Sequence, residues 1–288
     1  MVYNGIMHKV KRTVIVVLFL IMTAGMGLSV YFSIQGDREA DYVVETNVPF
    51  MPFEFYESRR IVGVDVDIVN KVAEKLDKTI RIQNVEFDVI IDNVEAGKIA
   101  DAGAAGLTIT PAREAKVNFT IPYYTSVQYV IYNQDMPPSL RDDHVVWESL
   151  AGYNLGSQIG STGYLFVEDE IENGVLKDTG TTIKGIDSHQ LAADAISSHI
   201  IDFAVADELV AKFITEKNPE LSALPLYYSG KTREDDYPVE ESYAIAVNKN
   251  RPELLDAFNE VLGEMTVEDA NGQTEIDKLV LQYTGIAK

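Results

Sequence analysis

The sequence predicts an α/β protein built from two lobes. Segments typical of strands and of helices alternate from Tyr42 to the C-terminus, which is the pattern of largely parallel sheets. The chain has 288 residues, more than the common domain size of about 100–150 residues. Polar runs at 133–138 and 232–241 interrupt the alternation and suit crossings between lobes. We therefore expect a first lobe over 41–132 and 242–288, a second lobe over 133–241, and crossings near 132–136 and 237–242.

Each element is predicted from its hydrophobic pattern. Apolar residues recur at helical spacing over Asp65–Leu76, which indicates a helix with one buried face. Ala102–Leu107 is small and apolar and predicts a buried strand that runs into a turn. The other predicted strands are Tyr42–Glu45, Ile80–Val85, Val127–Tyr132, Asn154–Ile159, Thr182–Ile186, Asp202–Ala206 and Ser242–Val247. The other predicted helices are Val89–Ala96, Gly163–Asp169, Ser188–Ser197, Glu208–Glu216, Pro252–Gly263 and Thr274–Thr284.

An uncharged apolar run near the N-terminus predicts a membrane anchor. Val14–Ile34 is about 20 residues long, enough to cross a bilayer as a helix. Three basic residues precede it, so residues 1–12 are expected to be a cytoplasmic tail and 13–36 a transmembrane anchor or signal segment. A cleaved signal peptide is the alternative, although its apolar core is usually about 7–15 residues. We expect an extracytoplasmic protein anchored to the cytoplasmic membrane, or released to the periplasm if the segment is cleaved.

Charge and composition exclude several classes of partner. The 45 acidic residues outnumber the 24 basic ones, for a net charge of −21. Nucleic acids and anionic lipids need positive patches, so neither is expected as a partner of the exposed part. The chain has no cysteine, which excludes disulfides and a cysteine-linked lipid anchor. The four histidines show no metal-ligand spacing, and we expect neither a metal nor a cofactor.

The octapeptide 106–113, Gly-Leu-Thr-Ile-Thr-Pro-Ala-Arg, has the composition of a carboxylate clamp. A carboxylate taken out of water must be neutralised and its lone pairs filled. Arg113 offers a planar fork that meets two carboxylate oxygens at once. Thr108 adds a hydroxyl donor, and Gly106 allows close approach because it has no Cβ. Read alone, the octapeptide is equally a strand, a turn and a surface arginine.

Further motifs occur in a set order along the chain. With the octapeptide they are 46–55 (TNVPFMPFEF), 62–67 (VGVDVD), 85–88 (VEFD), 106–113 (GLTITPAR), 119–124 (FTIPYY), 158–163 (QIGSTG) and 204–208 (AVADE). In these motifs the chain from about Asp41 resembles the extracytoplasmic solute-binding proteins of polar amino-acid ABC transporters, which are two-lobed, Venus-flytrap proteins. The resemblance predicts the same type II fold and a partnership with an ABC permease subunit.

The resemblance also implies a pocket for a free L-amino acid between the lobes. Thr108, Arg113 and the turn at Ser161 and Thr162 would bind the α-carboxylate. The Gly106 carbonyl and Asp207 would hold the α-ammonium. The side chain would contact the remaining predicted residues, Asn47, Phe50, Phe87 and Gln158.

The side chain of the ligand is predicted from one departure from the family pattern. The family usually has an acidic residue where Asn47 stands, and its loss disfavours a cationic ligand. No additional basic residue occupies a pocket position, which disfavours a dicarboxylic ligand. The set is most similar to glutamine-type binding proteins, so a polar uncharged amino acid is expected.

Simpler roles and rival functions remain open for several residues. Phe50 and Phe87 could be core aromatics, and Asp65 and Asp67 are expected to cap or flank a helix start. Asp207 could be the N-cap of the helix after it. An enzyme related to cyclohexadienyl or arogenate dehydratases would need a general acid in the cleft, and residues 168–170 (EDE) could not be placed there. A sensory ligand-binding protein would need a signalling domain. We therefore expect a non-enzymatic transport protein without catalytic residues.

Overall fold

The computed structural model describes residues 40–141 and 143–285. Residues 42–285 belong to one compact unit. The predicted cytoplasmic tail and the predicted anchor at 13–36 lie outside the described residues. Within the described ranges, no helix combines the length and the apolar character needed to cross a membrane.

Strands and helices alternate along the described residues, as the sequence predicts. The strands are β1 (Tyr42–Thr46), β2 (Phe55–Glu57), β3 (Arg60–Val62), β4 (Ile80–Asn84), β5 (Ala102–Gly103), β6 (Asn118–Phe119), β7 (Tyr124–Asn133), β8 (Val145–Val146), β9 (Asn154–Gln158), β10 (Thr182–Ile186), β11 (Phe203–Asp207), β12 (Leu221–Tyr228), β13 (Tyr237–Pro238), β14 (Glu240–Tyr243) and β15 (Ala246–Val247). The helices are α1 (Val64–Leu76), α2 (Ile90–Ala96), α3 (Pro111–Lys116), α4 (Thr162–Glu172), α5 (His189–Ser197), α6 (Glu208–Lys217), α7 (Pro252–Met265) and α8 (Glu275–Thr284).

The first lobe is built on a five-stranded sheet in the order β4-β1-β5-β15-β6. Strand β1 pairs in parallel with β4 and with β5, and β15 is antiparallel to β5 and β6. Strand β15, from the C-terminal part of the chain, therefore lies within this sheet. Helix α1 packs beside α7, where Val69 and Phe258 are both buried.

The second lobe is built on a larger sheet in the order β10-β9-β11-β7-β12-β13. Strands β10, β9 and β11 are parallel, whereas β7 is antiparallel to both β11 and β12. Its own apolar cluster includes Trp147, Leu155 and Phe203, each almost fully buried. The carboxyl ends of β9 and β11 carry Gln158 and Asp207, the edge at which open α/β sheets bind ligands.

The two long crossing segments lie side by side. Strand β14 pairs antiparallel with the first half of β7, with Tyr243 opposite Tyr124. Phe53 from the first lobe lies 5.1 Å from the rings of both tyrosines, measured between centroids. This buried aromatic group joins the sheets at the crossing, since aromatic rings contribute large apolar areas with preferred geometry.

The structure departs from the sequence-based expectations at two places. The predicted strand Ala102–Leu107 ends after Gly103, because the chain turns at Gly106, which has φ 53°. Residues 128–133 of β7 pair with β11 and β12 of the second sheet, whereas residues 124–127 pair with β14, so the chain enters the second sheet within β7. Val, Ile and Tyr mark β7 as a strand but do not specify the sheet it joins.

Two glycine substitutions should change stability in opposite directions. A Cβ on buried Gly103 would lie 2.5 Å from Cγ2 of Ile90, so Gly103→Ala should cost about 1–3 kcal/mol of unfolding free energy. Exposed Gly263 in α7 has no atom within 4 Å of a new Cβ, so Gly263→Ala should add about 0.5–1 kcal/mol. Urea unfolding of both variants measures this. Equal effects would contradict the packing described at Gly103.

Candidate functional site

A small cavity lies between the two lobes. It encloses about 230 Å³ of space, part of which opens to solvent. The residues that line it come from both lobes: Phe50, Phe87, Gly106, Gln158, Ser161, Thr162, His189 and Asp207. All except His189 are among the predicted site residues, and their role in binding stays a prediction.

Arg113 is held rigidly beside this cavity. Helix α3 has Pro111 in its first turn and Thr110 as N-cap, whose side chain accepts from the Arg113 N–H. The guanidinium is buried and donates to the carbonyls of Thr108 at 2.8 Å and Gly160 at 2.9 Å. Burial lowers the pKa of Arg113, while the Glu241 and Asp207 carboxylates oppose that shift. Two of its five N–H groups are used by carbonyls, so others remain for an anion.

Gly106 is fixed by a buried aspartate. The Gly106 N–H donates to Oδ2 of Asp65 at 3.0 Å, and the Tyr123 hydroxyl donates to Oδ1 at 2.6 Å. Burial raises the pKa of Asp65 to about 6. A Cβ at Gly106 would lie 2.4 Å from the Phe50 ring. Asp65 therefore holds this turn against Phe50. Its carboxylate makes no side-chain cap of α1, but Asp65 and Asp67 both lie in the first turn of that helix, as expected of residues that flank a helix start.

Three contacts join the lobes across the cavity. Arg113 binds the Gly160 carbonyl, and the Thr108 and Thr162 hydroxyl oxygens lie 3.1 Å apart. The Gln158 amide donates to Oδ1 of Asn47 at 2.8 Å. Because each contact has one partner in each lobe, the structure represents a closed arrangement of the lobes.

The N-terminus of α4 supplies the second-lobe side of the clamp. Ser161 is its N-cap, and the Ser161 hydroxyl accepts from the Tyr164 N–H at 3.2 Å. Thr162 is the first residue of the helix. The first N–H groups of a helix lack internal partners and carry partial positive charge, which suits an anion.

A comparison with protein families identifies this arrangement. Residues 42–285 match the model of the bacterial extracellular solute-binding proteins, family 3. The protein belongs to this family. It is 28% identical to the arginine-binding extracellular protein ArtP of Bacillus subtilis (strain 168), over 81% of this chain and 82% of that protein. These relatives are binding proteins, so this family 3 member is a solute-binding protein rather than an enzyme.

Solved structures of similar proteins share the fold. An ancestral arginine-binding protein bound to arginine is 29% identical, with a TM-score of 0.68 over 85% of this chain and 98% of that chain. An ancestral arginine-binding protein bound to glutamine has the same identity and coverage and a TM-score of 0.66. The predicted two-lobed periplasmic-binding-protein fold is therefore confirmed.

Asp207 of this solute-binding protein faces the cavity rather than capping a helix. It stands at the N-cap position of α6, but its side chain makes no capping hydrogen bond. Its Oδ1 accepts from the Tyr243 hydroxyl at 2.7 Å and from the Gln128 amide at 3.2 Å. Burial and then the nearby Glu241 carboxylate raise the pKa of Asp207 well above its usual range. The N-cap alternative is therefore not the role of this side chain.

Glu241 is a site residue that sequence reasoning missed. Its Oε2 accepts from the Thr108 hydroxyl at 2.6 Å and from the Thr162 hydroxyl at 2.5 Å. Its Oε1 accepts from the Gln128 amide at 2.5 Å. A hydroxyl has one hydrogen to donate. The sequence predicts that the Thr108 hydroxyl donates to a ligand carboxylate. In this structure neither threonine hydroxyl is available for that bond, because each donates to Glu241.

Glu241 and Gln128 could not be found from local pattern alone. Each lies within a crossing strand, and the two residues are 113 positions apart along the chain. Glu241 lies in a polar run that indicates a solvated segment. Only the pairing of β14 with β7, with Glu241 opposite Ser126, turns it inward.

His189 lines the cavity beside Phe50. Its ring centroid is 5.9 Å from that of Phe50, and its Nδ1 is buried without a hydrogen-bond partner. Burial lowers the pKa of His189 to about 4. The sequence showed only scattered histidines without metal spacing, and nothing in the local pattern marked this one.

An acidic groove adjoins the cavity on the side of Phe87 and Gln158. It is lined by these two residues, Ile159 and three exposed carboxylates. The carboxylates belong to Glu86, Asp88 and Asp187. Gly160, with φ 76°, permits close contact here, because a Cβ would lie 3.0 Å from Cβ of Asp88.

The acidic residues 168–170 do not line the cavity. Glu170 instead accepts from the Val175 N–H at 2.9 Å at the end of α4. Across the described ranges, no group of three or more His, Cys, Asp or Glu side chains is placed to hold a metal ion.

Replacing His189 by Gln should remove a loss of stability at acid pH. The pKa of about 4, against an ordinary 6.5, means that the unfolded state takes up this proton first as pH falls. The contribution is complete above pH 6.5 and decreases towards pH 4, by roughly 3 kcal/mol. Urea unfolding between pH 7 and 4 should show the free energy of unfolding of the wild type falling relative to that of His189→Gln. A constant difference would contradict this.

Proposed function

We propose that this protein binds a free L-amino acid between its two lobes and delivers it to the permease of an ABC transporter. The observation that carries the proposal is the presence of buried groups of opposite charge at one cavity between the lobes. Arg113 comes from the first lobe, and Asp207 comes from the second. An amino acid is a zwitterion, so its carboxylate and its ammonium would each meet a buried counter-charge.

The α-carboxylate would bind at Arg113 and at the N-terminus of α4. Arg113 retains N–H groups beyond those given to the Thr108 and Gly160 carbonyls. The first backbone N–H groups of α4 complete the anion site. A carboxylate held by both lobes stabilises the closed state, which is how a ligand shifts an equilibrium between two conformations. The closed protein is then the form that the permease recognises.

A cationic side chain of the arginine type suits the remaining charges. The acidic groove offers Glu86, Asp88 and Asp187 beyond Phe87. The Phe87 ring already lies 5.6 Å from the Arg113 guanidinium, and aromatic faces attract cations. The names of the relatives point the same way, since the Bacillus subtilis protein and the ancestral protein are both called arginine-binding.

Glutamine is the second candidate, and one observation favours it. Asn47 and Gln158 form a neutral amide pair where the ligand side chain would lie. The family usually has an acidic residue at the position of Asn47. Uncharged amides match an amide side chain without burying a net charge. The ancestral arginine-binding protein has also been seen bound to glutamine.

The N-terminal run is proposed to hold the protein at the outer face of the cytoplasmic membrane. The proposal rests on the sequence of Val14–Ile34 alone, whose length and lack of charge suit a membrane span. An anchored binding protein would stay close to its permease. Edman sequencing of the protein from membrane fractions would show an intact N-terminus if the segment is retained.

A melting-curve panel against the twenty amino acids tests the function. The full-length protein is unfolded and refolded first, to remove ligand acquired during expression. At about 100 times the dissociation constant, a ligand should stabilise the protein by roughly 2.7 kcal/mol. Arginine should give the largest rise and glutamate none. Arg113→Ala should reduce binding by about 3–5 kcal/mol, because a buried carboxylate loses its counter-charge.

A panel without any rise would overturn the proposed function. A rise with glutamine and none with arginine would replace the first candidate by the second. Near-wild-type affinity in Arg113→Ala would instead overturn the clamp and leave amino-acid binding in place.

Replacing Asn47 by Asp should shift preference further towards arginine. Asn47 lies at the junction of the cavity and the acidic groove, where it binds Gln158 and the Val85 carbonyl. A carboxylate there should raise the ratio of arginine to glutamine affinity about tenfold, equivalent to about 1.4 kcal/mol. Calorimetric titration with both ligands gives the ratio, and glutamine controls for general damage to the site. An unchanged ratio would place the ligand side chain elsewhere.

A further inference from the structure

Two buried carboxyl groups meet at the amino end of the cavity. Asp207 ends β11 and Glu241 lies on β14, and both are almost fully buried. The Gln128 amide donates to both, at 3.2 Å to Asp207 and 2.5 Å to Glu241. One amide nitrogen therefore brings the two buried carboxyl groups close together. Two like charges close together in a buried site favour a proton on one of them.

The hydrogen bonds of the pair leave room for further donors. A carboxylate offers about four acceptor sites. Glu241 receives three hydrogens, from the two threonine hydroxyls and Gln128. Asp207 receives two, from Tyr243 and Gln128. An ammonium group has three N–H donors and could donate to the acceptor sites that remain on Asp207 and Glu241.

The groups that face the pair favour a proton in the empty cavity. Glu54 is fully buried and has no partner for either oxygen, and burial, followed by the Asp65 and Asp207 carboxylates, raises its pKa well above its usual range. Arg113 is the cation that acts on the pair from α3. Tyr243 stabilises the Asp207 carboxylate, but burial and Glu241 outweigh it and raise the pKa of Asp207 well above its usual range. His189, across the cavity, is neutral at pH 7 because its pKa is about 4.

We propose that the Asp207 carboxyl group, next to the Glu241 carboxylate, holds a proton in the ligand-free protein and that the ligand's α-ammonium displaces it, so binding releases a proton to solvent. The inference rests on the proposed binding of an amino acid. The O–H bond of the Asp207 carboxyl group breaks, its proton passes to the buffer, and N–H···O bonds from the ammonium to both carboxylates take its place. Glu241 thereby becomes a second partner of the ammonium, beside Asp207. The bound pair carries two negative charges, which Arg113 and the ammonium balance.

Calorimetry in buffers of different ionisation enthalpy tests the proposal. The full-length wild type is titrated with arginine, and with glutamine if arginine does not bind, at pH 7 in phosphate and in Tris. The slope of the observed heat against the buffer enthalpy gives the protons released, expected to be close to one. In Glu241→Gln, which removes the carboxylate that favours a proton on Asp207, the number should fall towards zero. Glu208→Gln is the matched control, because Glu208 adjoins Asp207 in sequence but pairs with Lys212 at 2.5 Å.

The wild type alone also decides the question if Glu241→Gln does not fold. Release of one proton requires the association constant to rise about tenfold per pH unit while the empty pair is protonated. Equal heats in both buffers together with a flat pH profile would overturn the proton release while leaving amino-acid binding intact. The same proton release in Glu241→Gln as in wild type would overturn the assignment to this pair. Failure of any amino acid to bind would overturn the proposed function as well.

Discussion

The burial of a guanidinium and two carboxylates in one cavity is the constraint on which the site depends. Charged groups taken out of water are tolerated only when they are paired and hydrogen-bonded. Arg113 is therefore surrounded by carbonyls, while Asp207 and Glu241 are surrounded by hydroxyl and amide donors. Most of these partners are fixed by strand ends or helix starts. The order of the site thus follows from the order of the two sheets.

The crossing strands connect this electrostatic arrangement to lobe closure. Gln128 on β7 and Glu241 on β14 contribute from the crossing segments themselves, and Glu241 accepts hydrogens from a threonine of each lobe. Beside them, the rings of Tyr124, Tyr243 and Phe53 fill the space between the sheets. Opening of the lobes would separate Thr108 from Thr162 while leaving this aromatic group packed. The hydrogen bonds around the cavity therefore depend on the arrangement of the lobes more than the packing of these aromatic rings does.

Under the proposed function, recognition of the amino acid would divide into a common end and a variable end. The charged groups Arg113, Asp207 and Glu241 would serve the part shared by all amino acids. The variable end would combine the neutral groups Asn47, Gln158 and His189 with the acidic groove beyond them. A neutral inner pocket next to an acidic groove would let a long nitrogen-bearing side chain keep its charge near water, where ion pairing costs least.

Local sequence determined the order of the elements, because the helical and strand periods of α1, α7 and β9 to β11 are set by which residues must be buried. It also marked Arg113, Asp207 and the turn at Ser161, since their motifs carry chemistry within a few residues. The tertiary structure alone placed the second half of β7 in the second sheet, brought His189 to the cavity, and set Gln128 and Glu241 beside Asp207. Their roles come from contacts between distant segments, and a long-range pairing leaves no periodic signal in the residues that form it.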